Sequence, residues 1–247
     1  MGNVILEEST HTYKNLLVPD FKYISVTRLL QLYEEPFDAD FHSKRIAERD
    51  GVTQQEVLDK WKEINRIAIE YGKKVHAIME RYLLNKYKLY IARDDFERTV
   101  LEEFQKIKLL TDHRIVKPEY VLSYPITDKF GMAGCTDVIE DVDDNKFNMW
   151  DFKTNRELTF ETKYDQWMLF PVTHLSQTKY NLDCLQVSMY AYFYELETGK
   201  KVNTLGIIYW DRGDDITSVT GVWKVLYLPY LKTDVKMLIN HYISHYL

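Results

Sequence analysis

The chain has 247 residues, 45% of them hydrophobic, enough to bury the core of one large domain or two small ones. Its two cysteines, Cys135 and Cys184, form no C-x-x-C pair, which excludes a recognisable cysteine-based zinc or iron–sulfur site and fits a reducing compartment. The formal charge of −6 argues mildly against a nucleic-acid partner, but from Lys44 to Lys88 bases outnumber acids by about four, so the sum decides nothing.

The start, MGNVILEEST, has no basic segment and no long apolar run, so no secretory leader is expected. Leu6 stands where an N-myristoylation signal wants Ser or Thr. No run of 18 apolar residues occurs, so no membrane span is expected and the location expected is cytoplasmic. Thr10 to Ile24 alternates loosely, as a hairpin would. Ser25–Tyr33 reads as a short helix with Ser25 as its N-cap, and Asp40–Arg49 as a second helix broken by Gly51. Thr53-Gln54-Gln55-Glu56 is a capping box ahead of Val57, Trp61, Ile64, Ile67 and Ala68, which are apolar at helical spacing. The same helix continues through Val75, Ile78, Met79, Tyr82 and Leu83, with Gly72 as a candidate kink or break. Asp94–Leu110 is a further helix.

The pattern then changes. Ile115–Ile126, Met132–Val142 and Phe147–Thr154 read as strands separated by turn residues. Leu182–Thr198 is a helix closed by Gly199. Thr204–Trp210 and Gly221–Leu228 are two more strands, and Pro229 opens a last helix reaching about Tyr246. Helices, three strands, a helix, strands and a helix, in that order, predict an α/β fold with a mixed central sheet flanked by helices.

The stretch KFNMWDFKTNRE, Lys146 to Glu157, is apolar enough for a buried strand yet carries Asp151 and Lys153. Asp143-Asp144-Asn145 is a turn signal. A hairpin centred on Asp144 puts Asp137 opposite Asp151, on the same face of the sheet. Lys153 shares that face because strand side chains alternate, and a slip of one residue would undo the arrangement. Two carboxylates and an ammonium there can hold Mg²⁺ and supply charge to a phosphate and an attacking water. The same groups can equally form a buried ion pair with no catalytic role. The triplet D-x-K is weak by itself, since it occurs four times, at Asp20, Asp144, Asp151 and Asp234. Only at Asp151 does a strand-borne carboxylate precede it by one hairpin.

Three further motifs line up with this one. YGKKVHAIMERYL sets His76 and Glu80 at i and i+4 on a helix, GCTD ends in Asp137, and LQVSMY gives Gln186 and Tyr190. In this order the motifs resemble the PD-(D/E)XK nuclease superfamily, in particular its RecB-like exonuclease branch, over about Ser25 to Gly199. The resemblance implies a restriction-endonuclease-like core in a single domain of residues 1–247, with residues 1–110 a mainly helical region carrying the histidine motif and 111–247 the catalytic sheet. It implies catalytic roles for Asp137, Asp151 and Lys153, with His76, Asp137, Asp151 and Glu119 as ligands of Mg²⁺ or Mn²⁺. His76 could instead be a histidine satisfied in the core. Glu119, in VKPEYVLSYPI, either completes the metal shell or caps its strand. Glu80 either supports the ligands from behind or faces solvent. Gln186 and Tyr190 either brace the lysine and contact DNA or simply pack their helix, and Lys179 is a candidate phosphate contact.

The activity implied is that of a metal-dependent deoxyribonuclease, an exonuclease acting on single-stranded DNA or duplex ends. The alternatives are a non-cleaving module that binds DNA ends or a recombination partner, and a structure-specific endonuclease. Recombination or replication proteins are the implied partners, and a compact nuclease of this kind fits a phage or mobile element acting in a host cytoplasm. The iron–sulfur members of the superfamily need four cysteines, which this chain lacks, so no iron–sulfur cluster is expected. No helicase-type ATP motif is present either.

Overall fold

Short polar side chains that accept from otherwise unpaired N–H groups start most of the helices in the computed structural model, which describes all residues except 1–2, 8–9, 11, 86–90, 111–115, 155–157, 163–164, 214 and 216–217. Ser25 caps α1 (Val26–Gln31), and Asp38 caps α2 (Ala39–Asp50), which ends on Gly51 in the left-handed conformation. The capping box of α3 (Gln54–Leu84) is complete: Thr53 Oγ1 accepts from the Glu56 N–H, and the Thr53 N–H donates to Glu56 at 2.7 Å. α3 runs unbroken through Gly72, so of the candidate kink or break at that residue the break does not occur. Gly72 instead serves a close approach, because a Cβ there would lie 3.1 Å from Thr154 Oγ1. α4 (Asp95–Lys106) starts at its cap Asp94 and stops short of the expected Leu110, since Lys108 and Leu110 have φ of 51° and 57°. α5 (Lys179–Thr198) is capped by Thr178, earlier than its apolar pattern suggested, and closes on Gly199 at φ 76°. α6 (Lys232–Tyr246) begins three residues beyond Pro229.

The N-terminal strands differ from expectation. The hairpin is formed by β1 (Val4–Glu7) and β2 (Thr12–Asn15), while β3 (Lys22–Ser25) leaves it for the main sheet. That sheet also contains β4 (Val116–Pro125), β5 (Phe130–Asp141), β6 (Lys146–Lys153), β7 (Lys201–Asp211) and β8 (Val222–Leu228). The start proposed for β4, Ile115, lies outside the described residues.

β5 is the centre of the topology. One edge pairs antiparallel with β4. The other edge pairs with β3, parallel, over Phe130–Ala133, and with β6, antiparallel, over Val138–Asp141. Between these two neighbours, Gly134 to Asp137 has no strand partner on that edge among the described residues. β7 runs parallel to β6, and β8 antiparallel to β7, so the sheet is mixed. In the β5–β6 hairpin Val138 pairs with Trp150 and Asp141 with Phe147, the register expected of a turn centred on Asp144.

Helices cover both faces, which is why β6 and β7 are apolar along most of their length rather than alternating. On one face α1, α5 and α6 enclose Met132, Ile139, Phe147, Met149 and Ile207. On the other, Val75, Ile78 and Met79 of α3 and Phe96, Val100 and Phe104 of α4 pack on Val138, Trp150, Phe152, Ile208 and Trp210. Each large side chain so buried contributes about 1.5–3 kcal/mol. The α/β architecture predicted from the element order, a mixed sheet flanked by helices with a helical N-terminal region, is therefore observed.

Candidate functional site

Where β3 and β6 part along β5, a cleft of about 370 Å³ opens. Six parts of the fold line it: Leu6 and Tyr13 of the hairpin, Ser25 and Thr27 at the β3–α1 junction, His76 of α3, Glu119 of β4, Asp137 of β5 with Asp151 and Lys153 of β6, and Lys179, Gln186 and Tyr190 of α5.

Asp137 sits at its centre and is buried. Beyond Trp150 the β5–β6 ladder ends, and the freed Phe152 N–H donates to Asp137 Oδ2 at 2.5 Å. Asp137 Oδ1 lies 3.2 Å from His76 Nδ1. Burial pushes the Asp137 carboxyl upward, but His76 overrides this and holds it below the usual range. Burial likewise opposes a charge on His76, and Asp137 overrides it, lifting the imidazole to about 9. The edge of the His76 ring meets Phe152, 6.2 Å between centroids, which sets its orientation from the helical face.

Glu119 lies across from Asp137 at a position that the β4–β5 ladder skips, with φ at 47°. A left-handed glutamate inside a strand costs on the order of 1 kcal/mol or more, strain of a kind that gathers at functional sites. The facing of β5 changes at the same place: Met132 and Gly134 face α5, and so do Ile139 and Asp137. Glu119 Oε2 accepts from Cys135 Sγ at 3.3 Å. Burial, with the Asp137 charge added, raises the Glu119 carboxyl to about 7. His76, Glu119 and Asp137 each present one donor atom, all within 4.8 Å of one another. Ligands about 2.0–2.6 Å from a shared divalent ion stand up to roughly 4–5 Å apart, so this donor set fits such an ion. Two mutually repelling, largely buried carboxyl groups are also the environment a cation relieves.

Asp151, expected as a further ligand, is not one of these three. Its Oδ2 is paired with Lys153, and burial, with Asp137 adding to it, raises its carboxyl to about 6. Lys153 donates to Gln186 Oε1 at 2.8 Å, and Gln186 Nε2 donates to Thr27 Oγ1 at 3.1 Å, so β6, α5 and α1 are tied through one amide. Burial opposes the Lys153 charge, but Asp151 and then Asp183 override it and raise the ammonium's pKa.

The edge of the Tyr190 ring meets Gly134, where a Cβ would come within 2.1 Å of it, so the glycine of GCTD permits this contact. Burial pushes the Tyr190 phenol well above its usual value. Glu80 is half-buried one turn beyond His76 and lies outside the cleft lining, yet its charge adds to the rise at Glu119. Lys179, the first residue of α5, stands at the cleft with its ammonium 3.0 Å from Asp183.

Two participants escaped sequence reasoning. Tyr13 comes from a hairpin with no motif, and burial together with the nearby Cys135 and Glu119 holds its phenol protonated. Asp183 lies three residues before Gln186, and that helical spacing was the available signal.

No family model matches the chain, and no curated protein matches it. Among solved structures it is similar to a protein described as "Putative exonuclease" from Eubacterium rectale, with a TM-score of 0.41, 11% identity, and coverage of 72% of this chain and 65% of that one. The chain thus spans about 65% of the length of that protein. It is also similar to the protein SSO0001, with a TM-score of 0.32, 14% identity, and coverage of 74% of this chain and 70% of that one. Likenesses this distant leave the reaction to be argued from the residues of the cleft.

Proposed function

We propose that the chain is a metal-dependent deoxyribonuclease of the PD-(D/E)XK type, with residues 1–247 acting as one nuclease domain. The observation that carries this reading is the convergence of His76, Glu119 and Asp137 within 4.8 Å, beside a lysine held in place by Gln186 and Asp151. In this reading His76, Glu119 and Asp137 hold Mg²⁺ or Mn²⁺, with Asp151 at its margin. The ion, when bound, would lower the pKa of a coordinated water and offset charge on the phosphate.

The residues of the chain do the rest. Asp137 accepts from a backbone N–H of β6, so its position is fixed by the sheet and needs no reorganisation. Lys153 presents a buried ammonium to the phosphate oxygens and to the attacking water. Its low-dielectric setting makes that charge worth more than in solvent. Gln186 restricts Lys153 to one geometry. Lys179, partly exposed, is placed to meet a neighbouring phosphate of the strand. No basis for sequence recognition is needed for such a reaction, only a backbone contact.

Digestion of single- and double-stranded oligonucleotides carrying 5′ or 3′ end labels tests the reading. Mononucleotides or short products released in the presence of Mg²⁺ or Mn²⁺, and abolished by a chelator, support it. Folded protein that cleaves none of these substrates overturns it. A circular substrate separates end-dependent from internal cleavage, and Mn²⁺ calorimetry on wild type and Asp137→Asn separates a nuclease from a module that only binds DNA.

A further inference from the structure

A lysine side chain has four rotatable bonds and much rotamer entropy to lose, so Lys153 needs restraint to hold one geometry. Here its ammonium has a third neighbour besides Asp151 and Gln186. Asp183 Oδ1 lies 3.6 Å away, and the same oxygen is 3.0 Å from Lys179 Nζ. Asp183 is 1% exposed, and a carboxylate buried to that degree is strongly disfavoured unless it is paired. Neither of its oxygens accepts a hydrogen bond, and among the described residues its partners are these two ammonium groups. Asp183 has no part in starting its helix, because Thr178 is the N-cap.

We propose that Asp183 is a positioning residue, one that fixes the Lys153 ammonium in the cleft and ties it to Lys179 at the cleft mouth. The inference rests on the nuclease reading for what Lys153 does, and on geometry alone for where Asp183 holds it. Lys179, Asp183 and Gln186 follow at i, i+4 and i+7 of α5, so one face of the helix addresses the lysine. Asp151, Lys153, Asp183 and Lys179 then form a chain of alternating charge running from the sheet to the surface. An ammonium has three N–H donors. Gln186 takes one of them, and Asp151 is ion-paired with the group at short range. Asp183, at 3.6 Å, is beyond hydrogen-bond length and acts through its charge, so it takes no N–H away from a group in the cleft. Replacing Asp183 by a neutral amide of the same shape removes that restraint while leaving His76, Glu119 and Asp137 as they are.

Steady-state digestion of an end-labelled oligonucleotide with Mn²⁺ tests this on Asp183→Asn and Asp183→Glu. The expected result for Asp183→Asn is a kcat lowered by about 10- to 100-fold with KM changed by less than about threefold, the signature of a group acting in the transition state rather than in binding. Its Mn²⁺ affinity by calorimetry stays at the wild-type value. Asp183→Glu keeps the charge and retains more kcat than Asp183→Asn. Wild-type kcat in Asp183→Asn, or equal loss in both variants, overturns the proposal. A second readout does not need cleavage: ammonium-selective ¹H–¹⁵N spectra, with the Lys153 signal assigned by its loss in Lys153→Ala. That signal is expected to be narrow in wild type and broadened by solvent exchange in Asp183→Asn. An unchanged Lys153 signal overturns the proposal even if DNA is never cut. A protein that cuts no DNA but shows the broadening overturns the nuclease reading and supports the placement of Lys153 by Asp183.

Discussion

At the residue scale, the two carboxylates of the β5–β6 hairpin are held in different ways and have different expected phenotypes. Asp137 is fixed by the Phe152 N–H and faces His76, whereas Asp151 is turned toward Lys153. Asp137→Asn should therefore weaken divalent-metal binding by about 100-fold or more, read by calorimetry, because it removes a central charge of the donor set. Unchanged Mn²⁺ affinity in that variant would place the metal elsewhere. Lys153→Ala should lower kcat by about a thousandfold or more while metal affinity stays within a few-fold of wild type, since among the described residues the lysine forms no hydrogen bond or ion pair with His76, Glu119 or Asp137 and acts on them only through its charge. The fold should survive, because Asp151, already raised to about 6, can take up a proton rather than remain buried as an unpaired anion. Circular dichroism checks that point. Active Lys153→Ala protein would exclude the role given to this lysine.

At the scale of elements, the contact between Gly134 of β5 and Tyr190 of α5 joins the strand that bears Asp137 to the helix that bears Gln186. A methyl group at residue 134 would overlap the Tyr190 ring at 2.1 Å, so Gly134→Ala should destabilise by about 1–3 kcal/mol, read as a lowered Tm. In a Tyr190→Ala background the penalty should vanish, and its persistence would show that backbone conformation, not the ring, requires the glycine. Local chemistry made many of these elements legible beforehand. The Thr53–Glu56 box and the Ser25 and Gly199 caps are decided by residues within a few positions of one another. So is the register that carries Asp137 toward Asp151, through the Asp143–Asn145 turn. What was not legible is non-local. β3 pairs in parallel with a strand about a hundred residues later, and nothing in Lys22–Ser25 specifies that partner. Gly72 suggested a break because glycine weakens helices, but its neighbour Thr154 comes from another element and could not be seen. The left-handed backbone of Glu119 had no signal, since glutamate is not a residue type that announces it. The hairpin puts Asp151 opposite Asp137, but the pairing of its Oδ2 with Lys153 is not specified by that register.

At the scale of the whole molecule, two carboxylates far from the cleft fasten α5 to the sheet and to α6. Asp141 takes Lys117 at 3.0 Å, Lys200 at 3.1 Å and the Tyr194 hydroxyl at 3.1 Å. Glu195 takes Lys232, the Val202 N–H at 3.2 Å and the Tyr230 hydroxyl at 3.0 Å. Burial opposes ionisation of both, and these partners override it, so both pKa values lie below the usual carboxylate range. A carboxyl with a depressed folded-state pKa contributes stability that is complete above its unfolded value and is lost as pH falls through the folded one. The contribution of these two carboxylates, read by denaturant unfolding, should therefore be constant near neutrality and be lost as pH falls below about 4.5. Asp141→Asn should be less stable than wild type at pH 7 and should converge with it in acid. Parallel curves at all pH values would show that Asp141 makes no ionic contribution. No helix among the described residues is long and apolar enough to cross a membrane. The molecule that emerges is a sheet covered on both faces and opened along β5, with His76, Glu119, Asp137, Asp151 and Lys153 gathered at the opening. The most direct test of that account is a digestion of end-labelled DNA over a series of Mn²⁺ concentrations, run in parallel on wild type and Lys153→Ala. Cleavage that rises with Mn²⁺ in wild type and is absent in the variant, with equal Mn²⁺ binding in both, is the predicted result. Cleavage that needs no metal, cleavage undiminished in Lys153→Ala, or no cleavage by either folded protein would contradict it.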